Sequence, residues 1–211
     1  MAPASRTPFY FPRPRPPPGR QQMKAPVGIL ISGRGSNMAS LVEASRSPDS
    51  PYEVVLVASN VTDAPGLDFA KAQGIPTWAQ SHVGMKRAEF DALVDGALRG
   101  AGVEYVALAG YMRLLSPAFV QKWAGRMINI HPSLLPDYKG LDTHQRVIDA
   151  GEAKHGCTVH IVTEALDDGA IVAQAEVPVL PGDDAHTLAA RVLVEEHKLY
   201  PAALAKLVRG R

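Results

Sequence analysis

The chain has 211 residues, of which 46% are hydrophobic and 20% charged, proportions that are ordinary for a globular domain with one sizeable core. No apolar run approaches the roughly 20 residues that a membrane-spanning helix needs, which argues against a membrane protein. The formal net charge is +1, but the first 22 residues hold four arginines and no acid, which leaves 18 basic against 21 acidic residues elsewhere. A slightly acidic body argues against nucleic-acid binding, which needs a basic surface.

Residues 1–22 also contain seven of the 18 prolines. So much proline without apolar periodicity does not build packed structure. We therefore expect residues 1–23 to be a disordered Pro/Arg-rich extension and residues 24–211 to form one domain. The extension could be a docking peptide, a transit-like leader or an extended start upstream of Met23, and we favour the last interpretation. The single cysteine, Cys157, is expected to be a buried small hydrophobe and fits a reducing, cytoplasmic compartment.

Short apolar runs bounded by Gly, Ser, Asn or Asp predict strands that are buried on both faces of a parallel sheet. These runs are Val27–Ile31, Val54–Ala58, Tyr105–Ala109 and Met127–Ile130. The segments between them carry apolar residues at three- and four-residue intervals, which predicts helices. The predicted helices are Asn37–Ser45, Pro65–Gln73, Met85–Arg99 and Pro117–Trp123. Strands and helices in alternation predict a doubly wound α/β fold.

After Gly156 the pattern changes to two strands, Thr158–Val162 and Ile171–Val177, joined by the loop Thr163–Ala170. Because so close a pair can be antiparallel, we expect a mixed sheet at this end. A long helix from about Ala185 to Leu207 closes the chain. The predicted fold class is therefore single-domain α/β, mostly parallel, with an antiparallel portion near the C-terminal end.

The first predicted strand runs into the glycine-rich segment Ser32-Gly33-Arg34-Gly35-Ser36-Asn37 and then into a helix. Its glycines allow a ligand to approach the backbone, Ser36 or Asn37 can cap the helix, and the helix start attracts a phosphate or another anion. Met38 stands where the dinucleotide fingerprint has its third glycine, and the second strand ends without a ribose-binding acid. A monophosphate is therefore a simpler ligand than a nicotinamide.

Asn129 and His131 lie two residues apart in a predicted strand, so both face the same side where that strand leaves the sheet. An amide beside an imidazole suits acyl transfer, because the amide can hold a developing oxyanion while the imidazole donates to that oxygen or carries an amine's proton. No Gly-x-Ser-x-Gly elbow is present. The nucleophile would then be the amine of the substrate itself.

A partner carboxylate can come from Asp167 or Asp168, in the turn between the last two strands. Spacing leaves the choice between them open, and such turns often carry solvated aspartates. The histidines have no spacing typical of metal ligands, so no metal is expected.

Several stretches together resemble the phosphoribosylglycinamide formyltransferases, a family of folate-dependent enzymes. They are the glycine-rich segment, Leu108–Leu115, Asn129–Pro136, His155–His160, Leu166–Gly169 and Glu195–Pro201. The resemblance covers about residues 26–204 in order. It implies that the formyl group of 10-formyltetrahydrofolate, a co-substrate, is transferred to the amine of 5'-phosphoribosylglycinamide in purine biosynthesis. It also implies a monomer or homodimer that needs no metal, nucleic acid or membrane.

The resemblance implies a catalytic trio in which Asn129 and protonated His131 stabilise the tetrahedral intermediate, while Asp167 orients His131 and a water molecule. It assigns the ribotide phosphate to three residues of the glycine-rich segment, Gly35, Ser36 and Asn37, and the ribose to Glu196. The implied folate site consists of Arg87, Met112, Arg113, Leu114, Leu115, Asn129, Thr163, Glu164, Ala165, Leu166 and Asp167.

The chain departs from the family pattern near this site. Lys139 and Asp142 stand where many relatives have Pro and His, and Asp168 stands where Gly is common. These departures affect fine contacts and the shape of the turn after Asp167.

Other formyl enzymes share the Asn129–Pro136 motif, so the motif defines the reaction class better than the acceptor. The alternative function is therefore a folate-dependent formyltransferase or deformylase with another acceptor. Methionyl-tRNA formyltransferase would need a further C-terminal domain, the deformylase an extra N-terminal domain, and sugar-nucleotide formyltransferases usually lack the glycine-rich loop. A second class of hypothesis is an inactive binding module that senses a ribotide or a folate.

Overall fold

The computed structural model describes residues 23–210, so the predicted Pro/Arg-rich extension lies outside the described residues apart from Met23. Seven strands form one sheet in the order β3-β2-β1-β4-β5-β6-β7. The strands are β1 (Ala25–Ile31), β2 (Tyr52–Ser59), β3 (Thr77–Ala79), β4 (Tyr105–Leu108), β5 (Met127–His131), β6 (Lys154–Ile161) and β7 (Ile171–Pro178). The helices are α1 (Ser36–Ser45), α2 (Pro65–Ala72), α3 (Arg87–Gly100), α4 (Pro117–Lys122), α5 (Thr143–Asp149) and α6 (Ala185–Arg209).

The first five strands are parallel, and β6 runs antiparallel to both of its neighbours, β5 and β7. The prediction of a mostly parallel α/β sheet with an antiparallel C-terminal portion is therefore confirmed. The chain moves from β1 to β2 and β3 on one side and then returns to β4 on the other side of β1. Open α/β sheets bind ligands at such a switch point, outside the carboxyl ends of the strands.

The sheet separates two hydrophobic cores. Ile29 and Ile31 point into one core, which α1, α2, α5 and α6 cover, whereas Leu30 points into the other core beneath α3 and α4. Because the central strands are buried on both faces, their sequences are continuous apolar runs rather than alternating patterns.

Two elements are missing from the sequence prediction. The edge strand β3 has only three residues, and the short helix α5 buries only Val147 among its apolar residues. Neither gives a strong periodic signal. In addition, β6 begins at Lys154, because its pairing with β7 continues through a Lys-His-Gly stretch that lacks apolar character.

The long helix α6 is joined by hydrogen bonds to the two neighbouring strands β4 and β5. The fully buried hydroxyl of Tyr200 lies 2.9 Å from the Leu108 carbonyl oxygen and 3.1 Å from that of Ile128. Glu196 lies one helical turn before Tyr200, so this contact also sets its position relative to the strands. No helix among residues 23–210 is long and apolar enough to cross a membrane.

The close approach of β6 to β7 depends on Gly156, where a Cβ atom would lie 2.0 Å from the Ala175 carbonyl oxygen. We expect Gly156→Ala to lower the free energy of unfolding by about 1–3 kcal/mol through overpacking, measured by urea denaturation. Gly96→Ala is the control, since that exposed position in α3 has no atom within 4 Å of a built Cβ. It should raise stability by about 0.5–1 kcal/mol. Equal stability of the two variants would contradict the close packing.

Candidate functional site

The carboxyl edge of the sheet brings together the loops after β1, β4 and β5, and the turn between β6 and β7 joins them. His131, the last residue of β5, is buried between two acceptors. Its Nε2 atom donates to the Tyr138 carbonyl oxygen at 3.0 Å, and its Nδ1 atom lies 3.4 Å from Asp167 Oδ2. Because Nε2 is occupied, Nδ1 is the nitrogen available to a reacting group.

The turn between β6 and β7 directs Asp167 inward. Its side chain is 6% exposed, whereas the side chain of Asp168 is 57% exposed. The Gly140 amide donates to Asp167 Oδ2 at 3.0 Å, and His160 Nε2 lies 3.6 Å from Oδ1. Burial favours the neutral form of this carboxyl, but His160, the Gly140 amide and His131 together hold its pKa below the usual value. Asp167 therefore faces His131 as a carboxylate.

Asn129 and His131 lie on the same face of β5, as the spacing predicts. Asn129 lies opposite His160 of the neighbouring strand β6. His160 Nδ1 donates to the Ile161 carbonyl oxygen, so its Nε2 accepts from Asn129 Nδ2 at 3.3 Å. The second N–H of that amide remains for a ligand. No sequence motif marks His160 as a site residue, and its position there follows from the antiparallel register of β5 and β6.

The glycine-rich loop leads into α1 through Gly35, which has a φ angle of 73° and is the N-cap residue. The prediction that Ser36 or Asn37 caps the helix is therefore wrong. Asn37 lies in the first turn of α1 and donates through Nδ2 to Glu196 Oε2 at 2.6 Å. The first backbone N–H groups of α1 have no partner within the helix and can bind an anion.

The segment Met112–Leu115 is held at both ends. The Met112 amide donates to Ser32 Oγ at 2.8 Å, and Ser32 Oγ donates to Asn60 Oδ1 at 2.6 Å. Beyond the other end, the Ser116 amide donates to the buried carboxylate of Asp91 at 2.6 Å. Ser32 thus joins the glycine-rich loop directly to this segment, a link that sequence spacing does not reveal.

The remaining predicted folate residues line the outer part of this edge. The guanidinium of Arg113 stacks over Phe90, 5.1 Å from the ring centre, and Arg87 is exposed at the first residue of the same helix, α3. Residues 163–166 are exposed in the turn before Asp167, where Gln121 Nε2 donates to Glu164 Oε1 at 2.8 Å. Met112–Leu115 are therefore held by hydrogen bonds at the sheet edge. The exposed residues at the outer side of that edge are Arg87, Thr163, Ala165 and Leu166.

Two other titratable groups nearby, Cys157 and His155, are uncharged at neutral pH. Burial and the charge of Glu196 raise the pKa of the Cys157 thiol to about 12, which agrees with its prediction as a buried hydrophobe. Behind His131, His155 Nε2 lies 3.0 Å from His144 Nδ1. Burial, followed by the neighbouring His144 and His131, lowers the pKa of His155 to about 4. No group of three or more potential metal-binding side chains occurs in the part of the chain that the structure describes.

An amide, an imidazole and a carboxylate lie together at the carboxyl edge of the sheet, near a helix start that can bind an anion, an arrangement typical of the active site of an α/β enzyme. The chain belongs to the formyl transferase family, whose sequence profile matches residues 26–204.

Similar proteins include both longer and comparable chains. A protein of Bos taurus named trifunctional purine biosynthetic protein adenosine-3 is 48% identical over 191 residues, which are 90% of this chain and 19% of that protein. The phosphoribosylglycinamide formyltransferase of Haemophilus influenzae is 42% identical over 88% of each chain. A crystal structure of phosphoribosylglycinamide formyltransferase from Brucella melitensis is 49% identical, with a TM-score of 0.85 over 90% of this chain and 98% of that chain. This chain therefore spans between 14% and 19% of the length of the trifunctional relatives and 88% of the length of the bacterial ones.

The buried carboxyl of Glu196 makes the stability of the folded state depend on pH. Burial raises the pKa of its carboxyl above the usual value, although the hydrogen bond from Asn37 opposes this shift. The protonated form therefore stabilises the folded state at acidic pH, and this contribution is lost as pH rises through the folded-state pKa.

We expect Glu196→Gln, which resembles the protonated form, to have a higher Tm than the wild type at pH 8, with a smaller difference at pH 4. Thermal unfolding at both pH values measures this change. Glu195→Gln, at the neighbouring residue that pairs with Lys198, is the matched control. An equal or lower Tm of Glu196→Gln at pH 8 would show that the buried charge does not destabilise the fold.

Proposed function

We propose that the chain catalyses transfer of the formyl group of 10-formyltetrahydrofolate to the amine of 5'-phosphoribosylglycinamide. The observation that carries the proposal is the convergence of Asn129, His131 and Asp167 at one strand end, next to the anion-binding start of α1. Membership of the formyl transferase family supports the reaction class, and the names of the bacterial relatives support the acceptor.

The amine of the ribotide attacks the formyl carbon directly. A C–N bond forms between them, and the carbonyl oxygen becomes an oxyanion. The Asn129 N–H that His160 does not use is the donor for this oxyanion. The bond between the formyl carbon and N10 of the folate then breaks, and the electron pair stays on N10. A proton lost by the amine must reach N10, so the net reaction neither consumes nor releases a proton.

His131 carries this proton through Nδ1. Its Nε2 is held by the Tyr138 carbonyl, which fixes the plane of the ring. The 3.4 Å separation between Nδ1 and Asp167 Oδ2 is longer than a good hydrogen bond, and such contacts often tighten in a substrate complex. The carboxylate stabilises the imidazolium form that both donates to the oxyanion and delivers the proton.

The substrates occupy opposite sides of this trio in the proposal. Gly35, Ser36 and Asn37 hold the phosphate at the α1 start, and Glu196 accepts from a ribose hydroxyl. Met112–Leu115 and residues 163–167 hold the folate, with Arg87 and Arg113 at the open side. The Asn37–Glu196 hydrogen bond fixes the spacing between the phosphate and ribose positions.

A spectrophotometric assay of the purified protein with 10-formyl-5,8-dideazafolate tests the proposal. We expect deformylated folate only when the ribotide is added. Product without the ribotide would favour a deformylase, and product only with another amine would favour a different acceptor. No turnover with any amine would favour the inactive binding module.

We expect His131→Ala to lower kcat by about 10²- to 10⁴-fold, because it removes the group that moves the proton. The ribotide Kd, measured by calorimetry, should stay within about two-fold of the wild-type value, since the phosphate binds elsewhere. His186→Ala, at an exposed position early in α6, is the control and should retain activity. Loss of ribotide binding in His131→Ala would place this residue in the ribotide site instead.

Ser32→Ala should raise the KM for the formyl folate by about three- to ten-fold with little change in kcat, because the Met112 amide loses its acceptor. Ser32→Thr keeps the hydroxyl and should recover most of the wild-type KM. Steady-state kinetics with saturating ribotide measure both effects. An unchanged KM in Ser32→Ala would show that the position of Met112–Leu115 does not affect folate binding.

A further inference from the structure

Two of the three positions that depart from the family pattern contact each other. Lys139 Nζ donates to Asp168 Oδ1, which joins the loop after β5 to the turn between β6 and β7. Next to this ion pair, the Gly140 amide donates to Asp167 Oδ2 at 3.0 Å. The dipeptides Lys139-Gly140 and Asp167-Asp168 are thus joined by two neighbouring contacts, one partly buried and one exposed.

The two joined loops are anchored differently. Arg146 Nη1, on α5, donates to the carbonyl oxygens of Lys139 at 2.7 Å and Leu141 at 3.2 Å, and its guanidinium stacks over Tyr138. The loop with Lys139 is therefore fixed to a helix. The turn with Asp167 is fixed at its end, where the Ile161 amide donates to the Ala170 carbonyl oxygen at 2.9 Å, while residues 163–166 are exposed.

We infer that the Lys139–Asp168 ion pair is a positioning device that holds the Asp167 carboxylate against His131 by clamping its turn to the loop fixed on α5. The role in catalysis rests on the proposed formyl transfer. Neither Lys139 nor Asp168 touches the reacting atoms, so both are positioning residues.

The test uses the full chain with four changes: Lys139→Met, Asp168→Asn, both together, and the charge exchange Lys139→Asp with Asp168→Lys. For each single variant, we expect kcat to fall by about two- to five-fold, the range for a partly exposed ion pair. We also expect hydrogen exchange of the Gly140 amide, measured by NMR, to accelerate by about two- to five-fold. The first double variant should lose no more than either single variant, and the charge exchange should recover both quantities. Lys71→Met, which removes the exposed Lys71–Asp68 pair within α2, is the matched control and should change neither.

Ionic strength provides a further check, because salt screens an exposed ion pair. The ratio of wild-type to Lys139→Met kcat should approach one at about 1 M salt. Unchanged Gly140 exchange in both single variants would overturn the clamp. Accelerated exchange with unchanged kcat, or no recovery after charge exchange, would overturn its positioning role. If the wild-type protein shows no formyl transfer, only the proposed function is contradicted. The clamp is still tested, because Gly140 amide exchange is measured independently of activity.

Discussion

The buried carboxylate of Asp167 lies between two imidazoles and one backbone amide. Removal of a carboxylate from water costs several kcal/mol unless hydrogen bonds and opposite charges compensate. His131 Nδ1, His160 Nε2 and the Gly140 amide surround it at 3.4, 3.6 and 3.0 Å. Their combined effect keeps the pKa of Asp167 below its usual value despite burial. The arrangement of the loops around the site follows from the need to bring these three groups to one carboxylate.

Each partner comes from a different part of the fold. His131 ends a parallel strand, His160 lies in the antiparallel strand beside it, and Gly140 belongs to the loop that connects β5 to α5. In the antiparallel pairing of β5 and β6, His160 lies opposite Asn129 and Thr158 lies opposite His131. The antiparallel part of the sheet supplies the second imidazole, while the parallel part supplies the strand ends and the α1 start, where an anion can bind.

The sequence was sufficient to predict features that depend on local periodicity. The spacing of Asn129 and His131 predicts a shared face, and the apolar runs predict the strands that carry them. Spacing could not choose between Asp167 and Asp168, because the left-handed φ angle of 49° at Asp167 turns one carboxylate inward and leaves the next outside. His160 was missed because its role depends on register across two strands. The capping prediction failed because Gly35, in a left-handed conformation, is the N-cap residue, so Ser36 and Asn37 already lie inside the first turn of α1.

In the proposed mechanism, the ionised Asp167 carboxylate, rather than the neighbouring acid, supports proton transfer by His131. A comparison of Asp167→Asn with Asp168→Asn tests it most directly, because the two substitutions make the same chemical change at adjacent residues. Asp167→Asn should lower kcat by at least about 100-fold, in the range of a lost proton-transfer group, with the ribotide Kd unchanged. Asp168→Asn should lose only about two- to five-fold. Wild-type kcat in Asp167→Asn, or equal losses in the two variants, would contradict the account.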